Sequence, residues 1–492
     1  MRYYVGIDMG TSSVKVLLMD ESGCVVKDSS RGYAVSEPRP GWKEIDPEFW
    51  MKAASEALEE LLEYVDAEDI VSIGVTGQMH TVVMLDEAGR PIRPALMWND
   101  TRTSGLLADI KERIRQTAEV PYLANVISTG SPAMNLYWFQ QNEPENFDRM
   151  KKFLIGPDYI VYRLTGKYQT DYCEASTSSL FDLNNRKWSS EIRDMLGFPE
   201  EIYPEVKGSG QIAGTIKEEW VKKFGLEERV SVTVGTGDNP AAAISTGCFL
   251  KKYPVLSLGT SGVLMVPREK TEFDAKGKNI LFSFDGEEID VLIQGVVQSC
   301  GNSFSWWTNT ILRTDSFEEE TRYADVNKLG ENQLLFYPHL TGDKTIYADP
   351  HLRGGFFGIG TDCTREDMTV AVMEGICFGV RQLADEMHLR DRIQEGLRVI
   401  GGGSKNDVWM QILADVLNVK IIQLKSASGG AGYGIALTAA SGGGSGISME
   451  EMIEKTVISG REYLPRKRHV QLYEKKYQRY MKIYEAMKLI YE

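Results

Sequence analysis

No run of eighteen apolar residues occurs in this 492-residue chain, so no membrane-spanning helix is expected. Positive charge is scarce as well: 55 Lys and Arg stand against 70 Asp and Glu, a formal net charge of −15. A surface of that sign repels phosphate backbones and anionic lipid, which argues against nucleic acid or membrane as a partner. Paired cysteines are missing. Cys24, Cys173, Cys248, Cys300, Cys363 and Cys377 form no C-x-x-C pair and no zinc spacing, and in a long chain they read as reduced thiols. The chain opens directly as a strand, Tyr3-Tyr4-Val5-Gly6-Ile7, without a basic and apolar leader, so a cytoplasmic location is expected.

What is present suffices for two ordinary cores. The length exceeds what one hydrophobic core supports, which sets two domains as the expectation, 1–248 and 249–492. No low-complexity linker divides them, so the junction near 247–253 reads as a hinge. Apolar alternation around Asp8-Met9-Gly10-Thr11-Ser12-Ser13 marks two strands, with a third after Asp20-Glu21-Ser22-Gly23. Helical periodicity covers 47–65, and Ile70–Thr76 reads as a buried strand. Alternation returns at Val230, Val232 and Val234, followed by a helix from Ala241. Leu256–Val263 then echoes Val5–Val14, each placing Gly-Thr-Ser between apolar strands, which points to two halves of related design. Later elements are a helix over 366–389, a strand Leu397–Ile400, a helix carrying Val408, Ile412, Val416 and Leu417, and one terminal helix over 469–491. That last helix bears Tyr473, Tyr477, Tyr480, Tyr484 and Tyr491, a stripe read as packing.

The chemistry concentrates at strand ends. In Asp8-Met9-Gly10-Thr11-Ser12, glycine permits a tight turn whose N–H groups and hydroxyls face an anion, Lys15 adds a point charge, and Asp8 can hold magnesium. The same residues also suit a plain β-turn. Gly259-Thr260-Ser261-Gly262 repeats that chemistry, so a phosphate chain between two halves would find a cradle on each side. The pattern G-x-x-x-x-G-K-[ST] is absent, so this is no P-loop. Gly401-Gly402-Gly403-Ser404 lets backbone approach a flat ring or ribose, and Asn406 can bond a base or cap the helix after it. Asp238 is the candidate general base, a positioned carboxylate able to take a hydroxyl proton, although helix capping would explain it equally. Met79-His80 and Trp98-Asn99-Asp100 lie at element ends, and an indole beside amide and carboxylate groups is a common grip on sugars.

Together these segments make the chain resemble the FGGY carbohydrate kinases, nearest their xylulose kinase branch. The resemblance adds Pro40-Gly41-Trp42-Lys43-Glu44-Ile45-Asp46-Pro47, Met97-Trp98-Asn99-Asp100-Thr101-Arg102, and Gly358-Ile359 to Asp367-Met368 with Ala371 to Glu374. It implies an α/β, actin-like ATPase (ribonuclease H-like) fold, two domains each with a mixed central sheet flanked by helices. It also implies ATP and Mg2+, with phosphate transferred to a primary hydroxyl, expected to be O5 of D-xylulose. L-xylulose, ribulose, gluconate, glycerol or another polyol is the alternative. By motif position Asp238 is the implied base, Asp8 and Asp238 border the metal, and Met79, His80, Asp238 and Asn239 contact sugar; Trp98 and Asp100 join them as expected sugar contacts on the residue types noted above. Gly10, Thr11, Ser12, Lys15, Gly259, Thr260, Ser261, Gly402, Gly403 and Asn406 are the implied ATP contacts. A homodimer is common among such relatives. This chain departs from the branch at Thr81 and Thr101, which add bulk near the implied sugar site, and at Asp343-Lys344-Thr345-Ile346.

Overall fold

Apolar residues on both faces of the first strands dictate a sheet covered on both sides. In the computed structural model, which describes residues 1–492 except 252, 274–275, 315–316, 323, 350, 426–429, 444–445 and 492, that sheet opens the molecule. Strands β1 (Tyr3–Met9), β2 (Ser13–Asp20) and β3 (Val25–Gly32) pair antiparallel in turn. Val5, Ile7, Val14 and Val16 face α1 (Pro47–Leu61), which buries Trp50, Ala54, Leu58 and Leu61. That helix starts where Asp46 caps it with Pro47 at its first position, and it ends at Leu61, short of the expected 65. Strand β4 (Ile70–Gly77) runs parallel to β1, then β5 (Ile212–Thr215) and β6 (Ser231–Thr233) complete the order β5-β6-β4-β1-β2-β3.

The short segment Thr236–Gly237 pairs parallel with Thr76–Gly77. It delivers the chain into α2 (Asp238–Ile244), which begins at Asp238 itself, three residues before the expected Ala241.

The second half repeats this plan. Its sheet runs in the order β9-β10-β8-β7-β11-β12-β13, from β7 (Val255–Leu258), β8 (Gly262–Arg268), β9 (Lys278–Phe282), β10 (Asp290–Val297), β11 (Leu397–Ile400), β12 (Ile421–Leu424) and β13 (Ser459–Tyr463). Read from β3 to β5 and from β10 to β13, both sheets step antiparallel, antiparallel, parallel, parallel, antiparallel. The echo between Val5–Val14 and Leu256–Val263 therefore falls on equivalent hairpins, and β9 is an addition at the second sheet's edge.

Helices α3 (Arg365–Glu386) and α4 (Asp407–Leu417) cover the second sheet, and α5 (Gly430–Gly442) crosses back to the first. The crossing depends on glycines. A Cβ on Gly6 would lie 2.2 Å from the Gly432 carbonyl oxygen, and one on Gly74 would lie 2.5 Å from that of Ile435. Ser72 Oγ also donates to the Ala439 carbonyl at 2.6 Å. Residues beyond 248 thus form one face of the first sheet's core.

The terminal helix is two helices, α6 (Lys467–Tyr480) and α7 (Ile483–Tyr491). Tyr473, Tyr477 and Tyr480 are buried, with Tyr473 donating to Glu374 at 2.9 Å and Tyr477 to Asp385 at 2.8 Å. The tyrosine stripe is packing as expected, and the Tyr491 side chain lies outside the described residues.

Candidate active site

Parallel neighbours β1, β4 and Thr236–Gly237 end side by side, and chain ends of that kind open a crevice in α/β sheets. Asp8 stands near the end of β1 and Asp238 follows Gly237, so two carboxylates from distant sequence face the same crevice. Burial pushes the Asp238 carboxyl up to about 7, with the Asp8 charge adding to it. Burial also raises Asp8 to about 6, against the pull of Lys15. Two carboxylates in mutual reach resist ionising together. Asp238 accepts from the neighbouring Asn239 N–H at 2.8 Å, and Gly237 holds the N-cap position, so helix capping does not account for the carboxylate.

A further acid lies behind them. Glu174 is buried, and its carboxyl is pushed well above the usual range by burial, then by Asp158, Asp171 and Asp238. Its Oε2 lies 3.5 Å from the His80 N–H. Sequence reading missed Glu174; nothing local distinguishes it, because its meaning comes from packing against Gly237, whose Cβ would sit 2.9 Å from Glu174 Oε1.

His80 adopts a left-handed backbone, φ 70, uncommon for a residue with a side chain and typical of functional turns. Met79 reaches Asn239, with Sδ 3.8 Å from the amide nitrogen. Buried polar atoms without a protein partner gather here: His80 Nδ1, both amide atoms of Gln78, Asn99 Oδ1 and Glu174 Oε1. Such groups cost free energy unless a polar ligand or water satisfies them. Trp98 joins the two regions, its Nε1 donating to Thr11 Oγ1 at 3.3 Å. Lys344 lies over the Trp98 ring with Nζ 5.6 Å from the centroid, and the Lys278 charge acts on His80. Both lysines come from the second half, and the sequence assigned neither a role.

Asp100 departs from expectation. Its carboxylate and the Arg102 guanidinium are both fully buried as an ion pair at 2.8 Å, and Asp100 also accepts from the Lys43 N–H at 2.6 Å. Arg102 in turn stacks over Trp42 and Trp138. The acid is consumed inside the protein, leaving none of its charge for a sugar. The hydroxyls of both departures from the branch pattern are engaged within the protein: Thr101 Oγ1 donates to the Gly41 carbonyl at 3.0 Å, and buried Thr81 accepts from the Trp98 N–H at 3.3 Å.

The second half holds a cavity of about 840 Å³ lined by Gly259, Thr260, Gly402, Gly403, Asn406 and Trp409, among others. Gly401, at φ 90, lies so close to β7 that a Cβ would meet the Leu258 carbonyl at 2.6 Å, whereas a Cβ on Gly402 would meet nothing within 4 Å. The first glycine shapes the loop and the second leaves space. Asn406 lines the cavity, but its carboxamide is engaged at both ends, accepting from the Trp409 N–H at 2.9 Å and donating to Thr321 at 2.8 Å. Its expected capping role is therefore present. Gly10, Thr11, Ser12 and Lys15 lie outside that cavity's lining, on the hairpin beside Asp8. The Lys15 ammonium pairs with Asp28 at 3.0 Å, so its charge is shared with a surface acid. Gly10 and Gly259 each donate to a carbonyl of their own turn, Ser13 at 2.9 Å and Ser261 at 3.1 Å.

Residues 3–245 match the N-terminal domain of the FGGY family of carbohydrate kinases, and residues 255–442 match its C-terminal domain. The chain belongs to this family. Among curated FGGY relatives, the xylulose kinase of Staphylococcus xylosus is 32% identical, covering 99% of this chain and 100% of its own. That of Lactococcus lactis is 34% identical over 99% of this chain and 97% of its own. A crystal structure described as a xyloylose kinase from Brucella ovis shares 29% identity with a TM-score of 0.90, covering 99% of this FGGY chain and 100% of that one. Two α/β halves of one topology, each with a mixed sheet flanked by helices, are the actin-like ATPase architecture of such kinases.

Proposed function

We propose that this kinase transfers the γ-phosphate of ATP to O5 of D-xylulose, with Asp238 as general base. One observation carries the reading: Asp238 stands at a crevice with its carboxyl raised to about 7 beside Asp8. A base of that strength takes a hydroxyl proton near neutral pH, where an ordinary aspartate would be too weak. The unpartnered polar atoms around His80, Gln78 and Asn99 supply the hydrogen-bonding surface a sugar needs, with Met79, Asn239 and Trp98 beside them. The glycine-lined cavity supports nucleotide binding by the second half; Gly259 and Thr260 of its lining, with the adjacent Ser261, are the residues proposed for the phosphates, and Gly402 and Gly403 those for the nucleoside.

The uncompensated charge of Asp8 and Asp238 fits a magnesium ion, which is commonly held through one or two carboxylates plus substrate phosphates. Bound there, magnesium would neutralise charge developing on the transferred phosphoryl group. Asp8 is the residue to hold it, leaving Asp238 to the sugar hydroxyl. A substrate pair of ATP and free sugar supports a cytoplasmic location.

The xylulose assignment rests on relatives at 32–34% identity spanning nearly the whole chain. A coupled assay over D-xylulose, L-xylulose, ribulose, gluconate and glycerol tests it. D-xylulose is expected to give the highest kcat/KM, with turnover lost on chelation of magnesium. A larger kcat/KM for any other sugar in the panel would displace the assignment.

A further inference from the structure

One buried acid takes no part in the proposed phosphate transfer. Glu174 belongs to the short helix Tyr172–Thr177 and is fully buried. Its carboxyl lies against the sugar end on two sides. Oε2 accepts from the His80 N–H in a long bond of 3.5 Å, and Oε1 has no protein partner. A Cβ added to Gly237 would lie 2.9 Å from Oε1 and 2.6 Å from Met79 Cγ. Glu174, Met79 and the residue before Asp238 are therefore packed together, and glycine at 237 is what leaves room for them.

Both neighbours are positions that need holding. His80 keeps a left-handed backbone, φ 70, which a residue with a side chain retains only where its surroundings fix it. Gly237 carries the chain from its pairing with Gly77 into Asp238. Glu174 is itself fixed. Asp171 caps its helix by accepting from the Glu174 N–H at 2.9 Å. Buried Ser176, on the same helix, accepts from the Leu281 N–H of β9 at 3.0 Å, so the added strand of the second half anchors this helix.

A buried carboxyl with an unpartnered oxygen costs free energy, and an apolar side chain of similar volume would fill the place without that cost. Stability alone does not account for the acid. We infer that Glu174 is a positioning residue that holds the Met79–His80 turn beside Gly237 and so sets the geometry of the sugar contacts. The inference rests on the proposed sugar end and names what keeps it in shape. Glu174 acts through His80 and Gly237 and is not itself a catalytic residue.

The test measures KM for ATP and for D-xylulose, or for whichever panel sugar has the highest kcat/KM, in the intact enzyme and in Glu174→Ala, Glu174→Met and Glu174→Gln. Met fills the space without an acceptor, whereas Gln keeps a carbonyl oxygen for the His80 N–H. Glu174→Ala and Glu174→Met are expected to raise the sugar KM about tenfold while the ATP KM stays within about twofold. Glu174→Gln should remain within about threefold of wild type for both substrates. A merely structural acid would lower Tm and leave both KM values unmoved. That result, an equal rise for both substrates, or a Gln variant as impaired as the Met variant overturns the inference. If Glu174→Ala does not fold, Glu174→Met, which leaves no large cavity, carries the comparison. His80→Ala separates this inference from the reading beneath it. A raised sugar KM in His80→Ala with none in Glu174→Met contradicts the positioning role alone; no change in either removes His80 from the sugar site and this inference with it.

Discussion

The indole of Trp98 donates a hydrogen bond to the hydroxyl of Thr11, 3.3 Å away and 87 residues earlier in the chain. That bond ties the aromatic wall of the sugar end to the turn that follows Asp8. Thr11→Val removes the acceptor and keeps the shape. A neutral hydrogen bond contributes about 0.5–1.5 kcal/mol, so the sugar KM should rise by up to about tenfold with little change in Tm. Steady-state kinetics with a thermal melt checks this, and an unchanged KM would show that the bond orients nothing.

Ionisation of Asp238 sets a pH profile. Its folded carboxyl is raised, so the base is protonated, and inactive, below about 7. The value of kcat/KM for sugar should therefore fall tenfold per pH unit on the acid side and level off above. A profile flat down to pH 5 would mean that no group with a raised pKa takes the proton.

Gly402 lines the nucleotide cavity, and an added Cβ would meet no protein atom within 4 Å. Gly402→Val should leave the fold intact, with Tm moved by no more than about 2 °C. The new side chain would occupy ligand space and weaken ATP binding about 10- to 100-fold by calorimetry. Unaltered ATP affinity would place the nucleotide elsewhere.

Asp100 gives the opposite pattern. Removing one partner of a fully buried ion pair leaves the other charge uncompensated, at a cost of about 3–5 kcal/mol. Asp100→Ala should lower Tm markedly, while any folded fraction keeps its sugar KM within about twofold. A large KM effect without destabilisation would return Asp100 to the sugar site.

Much of this was legible before any coordinates. Asp8, Asp238 and the three glycine loops sit at strand ends, where local pattern reports both the turn and its chemistry. The duplication was visible in one hairpin, since Gly-Thr-Ser between alternating strands recurs at equivalent places in both sheets. Trp-Asn-Asp has the composition of a sugar grip, but Arg102 two residues later holds the Asp100 carboxylate, a pairing that composition alone does not announce. Glu174 was invisible for a different reason. It acquires its role only when separate elements are brought together, and β9, which anchors its helix through Leu281, is the strand the duplication does not predict. The break between α6 and α7 falls at Met481-Lys482, without Gly or Pro to announce it.

The proton acceptor is the centre of the account, and Asp238→Asn addresses it with almost no change in volume. Single-turnover phosphorylation of D-xylulose, measured alongside ATP affinity, should show a rate reduced about 10²- to 10⁴-fold with ATP binding retained. A variant that turns over at close to the wild-type rate would contradict the assignment of Asp238 as the base.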